Sequence, residues 1–265
     1  SNGSNSNSSD PKNQNTGSIL PMLANKFTER KKHLKFPFGI SRKLDGIRVI
    51  STFEDNNVKL TSRLGKEFSN LDGIRKSLLS IFKSNPNLII DGELYSHDLP
   101  FNQISGAVRS KKKSEVDDIL ELWIFDILPK DDLEMPYKSR MELLKSFEKK
   151  VKSSNLKFVY YDVCNSLDEV TDFHDKYVNE GFEGAMCRNL DSKYLFKNRS
   201  NDLLKFKSFE DKEFEIVGAK AGVGTEEGAI VFECACEFGN FDVRPRGSIQ
   251  RRREMFENKR NYMHK

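Results

Sequence analysis

Short segments of alternating hydrophobic and polar residues dominate the chain after residue 18. Such segments, bounded by turn-forming residues, predict β-strands. Two of them contain nearly continuous apolar runs, which is typical of strands covered on both faces. The strands predicted in the first 208 residues are Ile47–Phe53, Val58–Ser62, Leu88–Tyr95, Leu120–Leu128, Lys157–Asp162, Ala185–Arg188 and Asp202–Lys207.

Three longer segments have the apolar spacing of amphipathic helices. Two of these helices are predicted to open with capping boxes, Ser139-x-x-Glu142 and Ser166-x-x-Glu169. The predicted helices are Asn70–Lys83, Arg140–Lys152 and Leu167–Glu180. The apolar stripe expected to pack into the core from the last helix is Val170, Phe173, Tyr177 and Val178.

Composition changes at both ends of the chain. Residues 1–18 have almost no apolar groups, so they cannot bury enough surface to offset the entropy of ordering, and a disordered tail is expected. Residues 19–208 are predicted to form one domain and residues 209–265 a second. In that second domain the predicted strands are Glu213–Lys220, Ala229–Glu237 and Phe241–Arg244, followed by a helical stretch, Gln250–Tyr262.

Overall composition predicts a highly charged globular protein, with 37% hydrophobic and 32% charged residues and a net charge of +4. No segment approaches the roughly 18 apolar residues of a membrane helix, and no secretory signal pattern is found. The four cysteines form no C-x-x-C pair, so reduced core thiols and a reducing intracellular compartment are expected.

The segment Lys43-Leu-Asp-Gly-Ile-Arg48 places a lysine just before a turn-forming Asp-Gly and directly ahead of a predicted strand. A lysine at such a loop can act as a nucleophile toward phosphorus once its amine is neutral, a state favoured by desolvation and nearby cations. Arg48 is close enough to reach the same space. The alternative is an ordinary turn with no chemistry.

Three further patterns carry charges suited to phosphate chemistry. Asp91-Gly-Glu93 puts two carboxylates at a buried strand, an arrangement that suits a hard cation such as Mg²⁺. The alternative for this motif is an ordinary hairpin turn. Glu183 opens a predicted strand with glycine beside it, so a phosphate or metal can approach the backbone closely, and Gly181 is expected to end the preceding helix. Lys205 and Lys207 lie two apart on a strand and share a face, where they can grip a phosphate or remain solvated.

Taken together, these motifs resemble the covalent nucleotidyltransferases, the superfamily of DNA ligases, RNA ligases and mRNA capping enzymes. The resemblance covers roughly residues 20–250 and is closest to the small ATP-dependent DNA ligases of phages, large DNA viruses and bacteria. The motifs that carry it, in chain order, are Lys43-x-Asp-Gly-x-Arg48, Ser62-Arg63, Asp91-Gly-Glu93, Phe101–Gly106 with Arg109, Phe125-Asp126, Glu183-Gly, Lys205-x-Lys207 and Val243–Gly247.

The resemblance implies an α+β fold. Its first part would be a nucleotidyltransferase domain of ATP-grasp-like antiparallel sheets with flanking helices. Residues 209–265 would then belong to a C-terminal OB-fold β-barrel. Three strands cannot close a barrel, so this domain is expected to be incomplete or completed by other chain.

The resemblance also implies roles for particular residues in the catalytic chemistry. Lys43 would attack the α-phosphorus of ATP, expel pyrophosphate and carry AMP covalently. Glu93 would hold the ribose or orient metal-bound water, and Glu183 would bind the catalytic Mg²⁺ or Mn²⁺. Lys205 and Lys207 would neutralise the α-phosphate in the transition state.

Other residues would bind the nucleotide and the DNA. Phe125 would stack on adenine, with Trp123 as the rival for that role. Arg48 would contact the ribose and later the nick, and Arg63 the 5′-phosphate side of the nick. The implied partner is nicked duplex DNA, bound by a monomer through salt-dependent phosphate contacts. The arginines expected to contact it are Arg48, Arg63, Arg109, Arg244, Arg246 and Arg251.

Two alternatives stay open from the sequence. An RNA ligase or mRNA capping guanylyltransferase shares the lysine motif and the two-domain plan. A non-catalytic nucleic-acid-binding protein of the same fold would be expected to lack Lys43, Glu93 or Glu183, and all three are present. The family's last motif is not found up to Lys265; where it is missing, the lysine adenylation step is expected to be slow.

Overall fold

The computed structural model describes residues 17–207, 214–236, 239–245 and 247–265. The chain divides into two compact units, Ser1–Ser208 and Phe209–Lys265. Both contain strands and helices, and the mixed α+β class predicted from the sequence is confirmed. Within the described residues, no helix is long and apolar enough to cross a bilayer.

The first unit contains ten strands and five α-helices in its described residues. The strands are β1 Leu23–Lys26, β2 Phe38–Lys43, β3 Ile47–Glu54, β4 Asn57–Ser62, β5 Leu88–Tyr95, β6 Glu121–Pro129, β7 Leu156–Phe158, β8 Asp162–Cys164, β9 Gly184–Arg188 and β10 Arg199–Phe206. The helices are α1 Phe27–Arg30, α2 Asp72–Ser84, α3 Phe101–Arg109, α4 Tyr137–Glu148 and α5 Leu167–Asn179.

Two five-stranded sheets organise this unit. One has the order β1-β10-β9-β2-β8 and the other the order β4-β3-β5-β6-β7. All pairs are antiparallel except β1 with β10 and β6 with β7, which are parallel. Because β2 and β3 are consecutive but lie in different sheets, the turn between them connects the two sheets.

Apolar residues from both sheets pack together in the core. The main cluster contains side chains such as Phe38 and Ile40 from the first sheet and Leu94 and Ile124 from the second. A smaller cluster joins Leu203 of the first sheet to Ile50, Ile89 and Leu128 of the second, together with Met22 and Tyr194. These contacts fix the two sheets against each other, because close-packed interiors resist small shifts.

The predicted strand Lys157–Asp162 is wrong, because this segment contributes to two different sheets. Leu156–Phe158 pairs with β6, whereas Asp162–Cys164 pairs with β2. The chain therefore crosses from one sheet to the other between residues 158 and 162. Local alternation cannot reveal such a crossing, since both ends of the segment bury apolar residues.

Two predicted helix features also need correction. Helix α4 begins at Tyr137 after Pro136, so Ser139 lies inside the helix and caps nothing. In α5, Val178 is exposed and His174 is buried instead. The other predicted capping box is present in part: the Ser166 hydroxyl accepts a bond from the Glu169 N–H, but the Glu169 carboxylate accepts from the N–H of Asn165 and not from that of Ser166. Strands β1 and β2 and helices α1 and α3 were not predicted.

In the described part of the second unit there is an antiparallel sheet of order β11-β12-β13 and one α-helix, α6. A small core forms around Ile230, Phe232 and Cys234, with Phe256 and Tyr262 packed against it. The bounds are β11 Glu215–Ala221, β12 Ile230–Cys236, β13 Gly239–Val243 and α6 Ile249–Glu257. The predicted boundary residues Glu213 and Glu237 lie outside the described residues. The assignment of this unit to an incomplete OB-fold barrel stays a prediction.

A buried ion-pair network lies beneath the point where the two sheets meet. Asp126 of β6 accepts hydrogen bonds from Arg140 Nε of α4 at 2.7 Å and from Arg188 Nη1 of β9. The side chains of Asp126 and Arg140 are fully buried. Burial alone raises the pKa of the Asp126 carboxyl, but the two arginines and the hydrogen bonds bring it below its ordinary value.

We expect Asp126→Asn to lower the free energy of unfolding by about 3–5 kcal/mol, because it leaves two buried arginines without a counter-charge. The depressed pKa of folded Asp126 means that its contribution is present above the unfolded carboxyl pKa, near about 4, and is lost as pH falls below it. Denaturant titrations of both proteins between neutral and acid pH measure both effects.

Asp131→Asn is the matched control, since Asp131 is an exposed carboxylate five residues along the chain. It should change stability by less than about 0.5 kcal/mol. Equal losses in the two variants, or an unchanged acid slope in Asp126→Asn, would show that the buried network does not stabilise the fold.

Candidate active site

A cleft of about 690 Å³ in the first unit is lined by residues of both five-stranded sheets. The sequence-predicted residues that line it include Lys43 and Lys205 of the first sheet and Arg48, Glu93 and Phe125 of the second. Strand pairing between chain segments far apart in sequence brings these five side chains together. The cleft is therefore the site where the predicted chemistry can occur.

Lys43 is the last residue of β2 and immediately precedes the turn into β3. Gly46 in this turn must be a glycine, because a Cβ there would lie 2.1 Å from the Leu94 carbonyl oxygen. The close approach of the turn to β5 brings Lys43 and Arg48 toward Glu93, the register partner of Arg48. Lys43 therefore lies at the start of a turn, as the sequence predicts.

Glu183 lies between two lysines. Its Oε2 accepts from Lys43 Nζ at 2.7 Å and its Oε1 pairs with Lys207 Nζ at 2.6 Å. Gly181, just past the end of α5, has a φ of +98°, and this turn leads Glu183 to the start of β9. Burial raises the pKa of Glu183, but the hydrogen bonds from the two lysines outweigh it and hold the pKa below its ordinary value.

Arg48 is held by Asp91, which corrects the sequence-based view of Asp91 as a cation ligand. Arg48 Nε and Nη2 donate to the two carboxylate oxygens of Asp91, both at 2.6 Å. Asp91 is buried, and it accepts a further hydrogen bond from the Tyr194 hydroxyl. Its oxygens therefore already have partners, and Asp91 acts on the cleft through Arg48.

Glu93 has a different environment from Glu183. Burial raises the pKa of Glu93 to about 8, although Arg48 and Lys43 act in the opposite direction. Glu183 is close enough for its charge to raise that pKa further. A cation bound beside Glu93 would stabilise the ionised form of this carboxylate and lower its pKa.

The carboxylates of the cleft fit a magnesium ion that is coordinated partly by the protein and partly by the phosphates of a substrate. Mg²⁺ commonly takes one or two protein carboxylates, and substrate phosphates and waters complete its octahedron. Glu93 and Glu183 supply two carboxylates. Within the described residues there is no group of three or more His, Cys, Asp or Glu that could enclose a metal alone.

Lys205 of β10 and Lys207, which lies just past the end of that strand, contribute positive charge on the first-sheet side. Lys205 lines the cleft, and its pKa is lowered by burial and by the neighbouring cations Arg199, Lys207 and Lys43. Mutual repulsion among these groups decreases when a polyanion binds between them. The cleft is thus suited to phosphate groups.

Only one of the two candidate aromatic residues faces the cleft. Phe125 lines it, with the Arg48 guanidinium carbon 5.0 Å from the ring centroid. Trp123 instead packs edge-on against Tyr95 at 5.4 Å and Phe182 at 5.8 Å. The geometry therefore favours Phe125 over Trp123 as the residue available to a base.

The predicted DNA-contacting arginines fall into two groups. Arg63 and Arg109 are exposed and line the cleft. Arg244 and Arg251 are exposed on the second unit, where Arg244 pairs with Glu226. Arg246 lies outside the described residues.

Several cleft residues were not predicted as site residues. Arg188, Arg199, Tyr137 and Lys66 line the cleft, and Tyr194 reaches it indirectly through Asp91. Arg199 and Lys66 could have been found from their positive charge beside predicted motifs. Tyr194 carries no such signal, because its role depends on a partner 103 residues away in sequence.

The family comparison matches most of the first unit. The protein-family model with the description "ATP dependent DNA ligase domain" matches residues 21–207. The DNA ligase of African swine fever virus (isolate Warthog/Namibia/Wart80/1980) is 33% identical over 234 residues, covering 83% of this chain and 54% of the relative. The DNA ligase of Enterobacteria phage T4 is 26% identical, covering 81% and 54%. The chain thus spans about half the length of these relatives.

Solved structures share the fold. Chlorella virus DNA ligase-adenylate superposes with a TM-score of 0.59 at 24% identity, covering 93% of this chain and 92% of that one. The ATP-dependent DNA ligase of bacteriophage T7, in complex with ATP, has a TM-score of 0.55 at 18% identity, with 92% and 85% covered. With the match over residues 21–207, the chain belongs to the ATP-dependent DNA ligase domain family.

Proposed function

We propose that this chain is the catalytic core of an ATP-dependent DNA ligase that seals nicks between a 5′-phosphate and a 3′-hydroxyl in duplex DNA. The observation that carries the proposal is the position of the Lys43 amine. It lies in a cleft with Arg48, Glu93 and Lys205, 2.7 Å from a carboxylate oxygen of Glu183. Family membership supports the use of ATP.

In the first step, Lys43 Nζ attacks the α-phosphorus of ATP. An N–P bond forms, the bond from the α-phosphorus to the pyrophosphate oxygen breaks, and the proton lost by the amine passes to the solvent. Lys43 must leave its ion pair with Glu183 before it can attack. Lys205 and Lys207 would stabilise the negative charge on the α-phosphate, since phosphoryl transfer depends on positioning and electrostatics.

A divalent cation, Mg²⁺ or Mn²⁺, would be held by Glu93 and Glu183 together with the nucleotide phosphates. When bound, it supplies charge neutralisation at the phosphates. Glu183 would then exchange its lysine partners for the cation, and the cation would keep Glu93 ionised at neutral pH. Phe125 would stack on adenine, and Arg48 and Arg63 would bind the nucleotide and the nick.

In the later steps, a 5′-phosphate oxygen of the nick attacks the α-phosphorus and releases Lys43. The 3′-hydroxyl then attacks the 5′-phosphate and expels AMP. The cationic residues of the cleft mouth, Arg63 and Arg109, support binding of the DNA backbone on this side. Arg244, Arg246 and Arg251 would add phosphate contacts from the second domain.

The proposed domain assignment follows the same plan. Residues 19–208 would form the adenylation domain, after a tail of residues 1–18. Residues 209–265 would form part of an OB-fold domain, which commonly presents a nucleic-acid-binding face. The three antiparallel strands of the second unit are compatible with such a barrel.

Substrate choice distinguishes the proposal from its closest rivals. Incubation with radiolabelled ATP or GTP should label the chain with ATP, whereas labelling with GTP alone identifies a capping guanylyltransferase. Sealing of nicked duplex DNA in preference to nicked RNA separates a DNA ligase from an RNA ligase. A chain that binds DNA but takes up neither nucleotide would be a non-catalytic binding protein.

We expect Lys43→Ala to abolish the covalent AMP adduct, because the alanine side chain has no amine with which to form the N–P bond. Intact-protein mass spectrometry after incubation with ATP and Mg²⁺ detects the adduct as one added AMP, and peptide mapping gives its site. Lys43→Arg, which keeps the positive charge, should be equally inactive. Lys35→Ala is the control, because Lys35 is exposed and pairs with Asp191; its adduct should form normally. An acid-labile AMP adduct on Lys43→Ala would refute the assignment.

We expect Glu183→Gln to slow adenylation by about 100- to 1,000-fold, the usual cost of losing one electrostatic contact to a transition state. Its apparent Mg²⁺ requirement should also rise, because the amide is a weaker cation ligand. Single-turnover adenylation across a range of Mg²⁺ concentrations measures both quantities.

Glu180→Gln is the matched control for this experiment. Glu180 lies three residues away and pairs with Arg42. It should leave the Mg²⁺ dependence unchanged. If both variants shift the Mg²⁺ dependence equally, Glu183 does not bind the cation.

A further inference from the structure

Four groups behind the cleft form a closed ring of hydrogen bonds. The Met22 N–H donates to the Tyr194 hydroxyl oxygen at 3.1 Å, and the Tyr194 hydroxyl donates to Asp91 Oδ2. Arg48 Nη2 donates both to Asp91 Oδ2 at 2.6 Å and to the Met22 carbonyl oxygen at 2.9 Å. The ring thus begins and ends on the backbone of Met22.

The ring is buried and joins segments that are remote in sequence. Met22, Asp91 and Tyr194 are at most 6% exposed. Met22 precedes β1, Asp91 belongs to β5, and Tyr194 lies in the connection between β9 and β10. Met22 and Tyr194 also pack in the apolar cluster that joins the two sheets. Hydrogen bonds in such surroundings are strong, and removing one partner leaves the other unsatisfied at a cost.

The ring uses a defined part of the Arg48 guanidinium. A guanidinium has five N–H donors in a rigid plane. Nε and both hydrogens of Nη2 are engaged by Asp91 and Met22. Among the described residues, Nη1 has no hydrogen-bond partner. Since Arg48 lines the cleft and its guanidinium lies 5.0 Å from the Phe125 ring centroid, the two Nη1 donors are the ones available to a ligand.

We propose that Tyr194 is a positioning residue, which fixes the Asp91 carboxylate and thereby the plane of Arg48 so that Nη1 donates to sugar-phosphate oxygens in the cleft. This inference rests on the proposed function. The oxygens can come from the nucleotide or from the nicked strand. Tyr194 itself does not touch the substrate; it prevents Asp91 and Arg48 from rotating away together.

The test uses Tyr194→Phe, which removes the hydroxyl and keeps the ring of the side chain. Tyr177→Phe is the matched control, because the Tyr177 hydroxyl is also buried and bonds to a carboxylate, Asp162, and a backbone carbonyl, Ile40 O. Tyr177 does not line the cleft. Both variants therefore lose a comparable bond, and thermal unfolding of each gives the purely structural effect.

Two single-turnover rate constants are measured at saturating substrate. One is adenylation of the chain by ATP, and the other is sealing of nicked DNA by chain that has already been adenylated. Tyr194→Phe should slow one or both by about 10- to 100-fold, the size expected when a positioned group shifts by up to about 1 Å. The step that slows identifies whether Arg48 acts on the nucleotide or on the nick. Tyr177→Phe should slow neither by more than about twofold.

A double-mutant cycle with Arg48→Lys adds a readout that a merely structural role would not move. Lysine lacks the planar fork that the ring orients. In the Arg48→Lys background, Tyr194→Phe should therefore cost almost no further activity, since the effects of coupled residues are not additive. Fully additive losses would overturn the proposal, as would a Tyr194→Phe variant no slower than Tyr177→Phe.

Asp91→Asn provides a second variant should Tyr194→Phe not fold. It weakens a different member of the ring and should slow the same step. If the wild-type chain seals nicks and the ring variants are equally fast, the role of Tyr194 is overturned and the proposed function is unaffected. Wild-type chain that forms no AMP adduct and seals no nick would overturn both.

Discussion

The ion pairs of Glu183 are the interaction on which the rest of the cleft depends. Lys43 and Lys207 both contact this one carboxylate, and Lys205 and Arg199 add further positive charge close by. Without Glu183, these cations would repel one another in a partly buried space where screening is weak. The carboxylate can be kept there because its backbone N–H is bonded to the Lys43 carbonyl oxygen, so the two residues hold each other in place.

Two buried arginine–carboxylate networks support this arrangement from behind. Asp126 ties β6 to α4 and β9, and Asp91 ties Arg48 to Tyr194 and Met22. Each network joins residues of different chain segments, so the cleft geometry depends on the fold as a whole. Burying such charges is costly unless every partner is present. The networks hold in place side chains whose positions relative to a substrate must be precise. Family membership and the cleft therefore agree on phosphoryl transfer as the chemistry to test.

Much of the local structure could be predicted from the sequence. The period-two pattern gave β5 with its observed bounds and β3, β4 and β6 to within a residue, because each buries apolar residues in regular alternation or in a continuous run. The motif residues Lys43, Arg48, Glu93 and Lys205 were expected in one site and do line one cleft. Short strands such as β1, and the division of residues 157–162 between two sheets, were missed because their strand character comes from their partners.

The order of amino acids alone establishes which chemical groups are available and where they lie along the chain. It specified a lysine at a glycine turn, two glutamates beside glycines and paired lysines near a strand end, since turn chemistry and side-chain type are local properties. The three-dimensional fold is needed to show that Asp91 holds Arg48, that Phe125 and not Trp123 faces the cleft, and that Tyr194 completes a ring with Met22. Those outcomes depend on strand register and on contacts between residues up to 172 positions apart, which local sequence does not encode.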